Sequence, residues 1–200
     1  MAISTIPGVK PDKPPARWTD TRLVRECLNG NEEAWSALVD KYKNLIFSIP
    51  IKYGMSRDDA ADIFQAVCLE AIAELPRLRE PRALPKWLMQ VAAHKSFHWK
   101  RRQGRSVELE EGEEPPATGE LPPGAEEILH QAEQEQLLRQ AIAELPSRCQ
   151  DLVRMLFFEP SAPAYEDIGR SLGVATGSIG FIRGRCLKKL RTRLEAMGFK

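Results

Sequence analysis

Apolar positions in this chain return again and again at three- and four-residue steps, while the two-residue alternation of a half-buried strand is nearly absent. That periodicity predicts helices at about 20–29, 31–53, 56–76 and 82–103, and a second group at about 125–144, 147–159, 164–172 and 176–197. Pro76, Pro81, Pro146, Pro160 and Pro163 mark breaks, because proline cannot continue a helix through its own amide. Between the two groups the pattern stops. Residues 106–125 pass from glutamates into PPATGELPPG, a composition that buries too little apolar area to order itself. The prediction is an all-α chain of two small helical domains, 20–105 and 126–200, joined by a flexible acidic linker over 106–125. Residues 1–19 carry four prolines and no apolar core of signal-peptide length, and read as a disordered tail. Nowhere do about eighteen apolar residues run together, so no membrane-spanning helix is expected.

The most specific local pattern lies near the C-terminus, in AYEDIGRSLGVATGSIGFIRGRCLKKLR. Ile168 and Leu172 lie one turn apart on a first short helix, Gly173 suits the left-handed residue that ends it, and Val174 plugs the turn. Thr176 or Ser178 can cap the helix that follows. On that helix Ile179, Ile182, Cys186, Leu190 and Leu194 make one apolar stripe, and Phe181, Gly184, Arg185 and Lys188 point the other way. This is the layout of a helix-turn-helix with a basic reading helix for the DNA major groove. Gly177, Gly180 and Gly184 sit in or beside that helix at a cost of roughly 1 kcal/mol each against alanine, a cost that closer approach of the backbone to DNA would explain.

Charge sharpens the picture. The 200 residues carry a formal net charge of only +1, but the charges are segregated. Between Phe181 and Lys200 the bases are Arg183, Arg185, Lys188, Lys189, Arg191, Arg193 and Lys200, against the single acid Glu195. Between His94 and Arg105 there are Lys95, Lys100, Arg101, Arg102 and Arg105 and no acid; from Ser106 to Gln136 there are only glutamates among the charged residues. Two basic patches flanking an acidic segment imply two separate contacts with an anionic partner.

In the N-terminal half two helix faces stand out. Ala60, Ile63, Val67 and Ala71 would face a core, leaving Asp58, Asp62, Gln65 and Leu69 together on the opposite side. By pattern alone that is an ordinary solvated face; it is also polar enough to stay wet while offering one apolar anchor to a partner helix. The segment Lys86, Trp87, Gln90, His94, Lys95, Phe97, His98, Trp99, Lys100, Arg101, Arg102 interleaves aromatic rings with cations. Rings that stack on unpaired bases beside cations that hold the backbone favour single-stranded or melting DNA. Trp87 and Phe97 also suit a core; Trp99, inside HWKRR, is the better candidate for an exposed ring.

Cys27, Cys68, Cys149 and Cys186 stand far apart without metal-ligand spacing and read as buried thiols in a reducing cytoplasm, with a regulatory disulfide the alternative. His94 and His98 lie one turn apart, but no third ligand is at hand, so neither a metal site nor an enzyme is expected, and no cofactor.

The runs LVRECLNGNEEAWSALVDKY, DDAADIFQAVCLEAIAELPRL and LPKWLMQVAAHKSFHWKRR, followed by AIAELPSRCQDLVRMLFFE and YEDIGRSLGVATGSIGFIRGRCLKKLRTRL, resemble bacterial RNA polymerase sigma factors of the extracytoplasmic-function (ECF) group of the sigma-70 family. The first three are similar to the family's region 2 and the last two to its region 4; together they cover roughly 20–103 and 126–197. The resemblance implies a non-catalytic promoter-specificity subunit acting in the cytoplasm. It implies that Asp58, Asp62, Gln65 and Leu69 dock on the coiled coil of the polymerase's largest subunit, reversing the bland reading of that face, and that the polymerase flap is a further partner. It implies that Lys86, Trp87, Gln90, His94, Lys95, His98, Trp99, Arg101 and Arg102 recognise and melt the −10 element, held as single-stranded DNA. Thr176, Ser178, Phe181, Arg183, Arg185, Lys188 and Lys189 would then read the −35 element as duplex, while the acidic linker threads the polymerase cleft. An anti-sigma factor is expected as a silencing partner on the same ground.

Departures from the family pattern limit what carries over. His94 and His98 stand where the family commonly has Asn and Asp, so its −10 base preference does not transfer, and Ala83-Leu84-Pro85 replaces a usual Phe. The proline-rich FEPSAPAYED changes the approach to the helix-turn-helix. The other reading, a stand-alone helix-turn-helix regulator, would need a dimer interface, and the chain has no sustained heptad pattern to supply one.

Overall fold

In the computed structural model, residues 18–104, 121–161 and 163–199 are described, and all regular structure among them is helical. Eight α-helices follow in order: α1 (Asp20–Leu28), α2 (Glu32–Lys52), α3 (Arg57–Glu74), α4 (Leu84–Gly104), α5 (Ala125–Ala143), α6 (Ser147–Phe157), α7 (Tyr165–Leu172) and α8 (Ile179–Ala196). Short 3-10 turns at Leu75–Arg77, Pro81–Ala83 and Thr176–Ser178, which contain Pro76, Pro81 and Gly177 respectively, lie between the helices. The predicted tail and linker fall outside the described residues, except for 18–19 and 121–125. The chain divides into two compact units, the first ending at Ala132 and the second beginning at Glu133.

In the first unit the starts of α1, α2 and α3 are fixed by side-chain caps. Thr19, Asn31 and Ser56 accept from the backbone N–H of Arg22, Ala34 and Asp59, each satisfying a donor that the helix itself leaves orphaned. Helices α1 to α4 pack around a core built on Leu38, Leu45, Ile49, Val67, Leu88 and Val91, which Ala125 and Ala132 of α5 join. Asp20 anchors this bundle polarly: it accepts from Lys41 Nζ at 2.7 Å and from the Tyr42 hydroxyl. Burial, and then the bond to Asp20, push the Tyr42 phenol well above its ordinary pKa, so it stays a neutral donor.

The second unit centres on Leu145, Leu152, Val153, Ile168, Ile179 and Leu190, contributed by α5, α6, α7 and α8 and their connections. Its helix-turn-helix forms as the pattern demands. Gly173 takes φ 63° and ψ 42°, the left-handed cap, and the Val174 amide donates to Gly169 O at 2.9 Å. Gly169 is needed for a different reason: a Cβ there would lie 2.9 Å from Val174 O, so any side chain would push the turn apart.

Two expectations are corrected here. Cys149 and Cys186 are not free thiols but a disulfide joining the first turn of α6 to the middle of α8, with Cα atoms 5.4 Å apart. The two are 37 residues apart in the chain and become neighbours only through helix packing. Cys27 and Cys68 remain free, and burial raises the pKa of both, that of Cys27 to about 11. Second, neither Thr176 nor Ser178 caps α8 through its side chain; a 3-10 turn over Thr176–Ser178 leads into the helix, and Ser178 at the N-cap has helical dihedrals.

Candidate nucleic-acid and protein interfaces

The face of α3 turned from the core is laid out as its spacing requires. Ala60, Ile63, Val67 and Ala71 are buried, while Asp58, Asp62, Gln65 and Leu69 are all exposed. Leu69 is 69% exposed, and Ile72, one further turn along the same line, is 58% exposed. Sequence reasoning missed Ile72, although the step from Leu69 continues the spacing 58, 62, 65, 69 that defines the face. Two large aliphatic side chains left in water beside two carboxylates and an amide make a surface with an apolar anchor and polar partners for registering a helix against it.

Helix α4 divides its predicted residues into three groups. Lys86, Arg101 and Arg102 are exposed near its two ends. Gln90, Lys95 and His98 are half-buried, and Lys95 pairs with Glu70 of α3 at 2.7 Å. The third group lies inward of expectation. Trp87 and Trp99 are half-buried and pack against the core of the first unit, so Trp99 is not the freely exposed ring predicted. His94 is 8% exposed, within the buried run Val91, Ala92, Ala93, and its Nε2 has no hydrogen-bond partner. Desolvation and the neighbouring His98 lower its pKa, opposed by Glu70, so a neutral imidazole occupies the interior. A ring in that position can support the surface of α4 but cannot reach a base without the helix opening. The surface that α4 offers is therefore cationic at its ends, with its aromatic rings set into the floor.

On α8 the stripe Ile179, Cys186 and Leu190 is buried and Ile182 and Leu194 are half-buried, which fixes the helix against α6 and α7. Every predicted reader, Thr176, Ser178, Phe181, Arg183, Arg185, Lys188 and Lys189, is exposed. They do not all stand alike. Arg183 donates to the Tyr165 hydroxyl at 2.8 Å, tying α8 to the first residue of α7. Arg185 lies over the Phe181 ring, 5.6 Å from its centroid. Further along, Leu187, Leu190, Leu194 and Phe199 line a shallow groove of about 350 Å³ that Arg191 and Glu195 flank.

Among the described residues no three His, Cys, Asp or Glu side chains converge as a metal site, and no helix is long and apolar enough to cross a membrane. The arrangement offers surfaces for binding: a polar face with two exposed aliphatic side chains on α3, a cationic one on α4 and the exposed basic side chains of α8.

Comparison with known proteins gives these surfaces a context. A family model described as Sigma-70 region 2 matches residues 38–106, which include α3 and α4. The chain is 24% identical over 169 residues to the ECF RNA polymerase sigma-E factor of Escherichia coli K12, covering 80% of this chain and 86% of that protein. It is 27% identical over 181 residues to the ECF RNA polymerase sigma factor SigD of Mycobacterium tuberculosis, covering 90% of this chain and 80% of that one. With the ECF RNA polymerase sigma-E factor of Haemophilus influenzae it shares 29% identity over 87 residues, 44% of this chain and 46% of that relative.

Proposed function

We propose that the chain is a sigma factor of the ECF group of the sigma-70 family, which binds core RNA polymerase and directs initiation by reading a −35 element as duplex and a −10 element as it melts; the region 2 match and the similarity to ECF sigma factors along most of the chain support this reading. The observation that carries the polymerase-dependent part of this reading is the exposed line of Asp58, Asp62, Gln65, Leu69 and Ile72 on α3. Two adjacent aliphatic side chains in water, aligned with two carboxylates and an amide on a helix remote in sequence from α8, favour a protein partner over a regulator working alone.

Each surface then has one task. The α3 face docks on a helical element of the polymerase's largest subunit, and the apolar groove of α8 receives the polymerase flap. Lys86, Arg101 and Arg102 hold the −10 strand. Trp87 and Trp99 contribute by stiffening the floor on which bases are captured, and by exposing ring edges when the strand arrives. Helix α8 lies in the major groove at −35, where phosphates are neutralised by Lys188 and Lys189. No catalytic chemistry belongs to the chain itself. The site of action is the cytoplasm, and a protein that covers the α3 face would silence it in the manner of an anti-sigma factor.

The test is transcription in vitro with purified core polymerase on a pool of genomic promoters, with the start sites sequenced. Transcripts that depend on this chain and share two spaced upstream elements support the proposal. Duplex binding by the chain alone, with no dependent transcript, would favour a stand-alone regulator instead.

A further inference from the structure

Phe181 is 70% exposed on the first turn of α8, while the stripe on the opposite side of that helix is buried. Arg185, one turn on, extends its guanidinium over the ring. At the neighbouring positions Gly177, Gly180 and Gly184 a Cβ would meet nothing within 4 Å, so the helix backbone is bare on this side. An isolated exposed phenylalanine has no special meaning. This one, however, stands on the N-terminal part of a reading helix, where residues reach base edges, and nothing bulky next to it prevents close approach.

The chemistry of the pair restricts what it can read. A phenyl ring neither donates nor accepts a conventional hydrogen bond, so it cannot distinguish the polar edges of the bases. The apolar group that base edges present in the major groove is the thymine C5 methyl. A guanidinium forks onto guanine O6 and N7, two acceptors side by side. The contact of the guanidinium with the ring restrains that fork, so less side-chain freedom is lost when it engages. Four residues of helix advance about 6 Å, against about 3.4 Å per base step, so the two side chains fall within about two base pairs of one another.

We propose that Phe181 and Arg185 form a paired base reader that selects a thymine, through its methyl group, within two base pairs of a guanine in the duplex element bound by α8. This rests on the proposed reading of α8 as the −35 element's contact and adds the identity of two bases to it. Phe181 is the specificity-determining member: it rejects cytosine and uracil for lack of a methyl group, whereas Arg185 supplies affinity as well as choice.

The experiment uses the chain assembled with core polymerase and a duplex carrying the upstream element taken from a dependent promoter. Each thymine of the element is replaced singly by deoxyuridine, which removes only the methyl, and each guanine by 7-deazaguanine, which removes the N7 acceptor. The expected result is that deoxyuridine at one thymine lowers affinity roughly fourfold, the value of one buried methyl. That ratio should fall to one in Phe181→Ala and be largely retained in Phe181→Leu. 7-Deazaguanine at a guanine within two base pairs should weaken wild type but not Arg185→Ala. The thymine-to-uridine ratio is the deciding quantity, since a merely structural loss would weaken both duplexes equally. Insensitivity to deoxyuridine at every position, or an unchanged ratio in Phe181→Ala, overturns the proposal while leaving the −35 reading intact. Unmodified duplex that gains no affinity from the element overturns both.

Discussion

Lys95 Nζ of α4 and Glu70 Oε2 of α3 stand 2.7 Å apart, 16% and 25% exposed, and link the cationic helix to the helix that carries the exposed Leu69 face. A pair this shielded is held more tightly than a surface ion pair and still avoids the full cost of burial. Glu70→Gln is expected to lower the stability of the first unit by about 1 kcal/mol. A double-mutant cycle with Lys95→Met, read by denaturant unfolding, should return a favourable coupling; zero coupling would make the contact incidental.

Leu69→Ala should leave the helical circular dichroism and the thermal midpoint unchanged, because the side chain touches mainly water. Under the proposed docking of the α3 face, its effect should appear in the complex with core polymerase, where loss of an apolar anchor would cost about 1–2 kcal/mol, or a roughly tenfold weaker Kd. Fluorescence competition with labelled chain for core polymerase measures it. Ile72→Ala should behave alike, and Glu80→Ala, exposed beyond the helix, should not.

His94 gives the first unit an acid sensitivity. Its folded pKa lies below the ordinary 6.5 because burial disfavours the imidazolium, so the unfolded chain binds the proton more readily. The stabilisation by the neutral ring is complete above pH 6.5 and is lost as pH falls from there through the folded pKa. Melting curves at pH 7.5 and 5.5 should show a larger drop for wild type than for His94→Gln, which does not titrate. Equal drops would assign the acid sensitivity to other groups.

Reduction of the Cys149–Cys186 disulfide should lower the midpoint of the second unit and leave the first unchanged. Closing a loop of 37 residues stabilises by roughly 2–4 kcal/mol, which for so small a unit corresponds to at least ~10 °C. Calorimetry with and without a dithiol reductant reads this directly, with Cys149→Ser as the reductant-insensitive control. Cys27, its thiol pushed up to about 11, should resist alkylation at pH 7.5 until the protein is unfolded.

Arg101→Ala on α4 should make the logarithmic salt dependence of single-strand binding shallower by about 0.7, the contribution of one neutralised phosphate. Stability should be untouched, since the side chain is exposed.

Much of this architecture was legible in the chain. The α1–α8 boundaries fall within a few residues of the predicted helices, because prolines and the caps Thr19, Asn31 and Ser56 punctuate strong periodic stripes. The left-handed Gly173 and the exposed α3 face followed from spacing alone. Helix α4 resisted for a physical reason. Its aromatic and basic residues occur on all sides, so composition could not say that Val91, Ala92, Ala93 and His94 are buried together or that Trp99 turns inward. The disulfide was hidden because 37 residues of chain separate its ends, and only the packing of α6 on α8 makes them adjacent. Likewise the contacts of Arg183 with Tyr165 and of Lys95 with Glu70 join different helices, and side-chain spacing along one helix carries no trace of them.

On the proposed function, this chain opens promoter DNA only as part of the polymerase. Permanganate footprinting of a dependent promoter measures it, because permanganate oxidises thymines that have lost their stacking partners. Reactive thymines are expected around the −10 element with chain and core polymerase together, and none with either component alone. Reactivity with core polymerase alone, or with the chain alone, would contradict it.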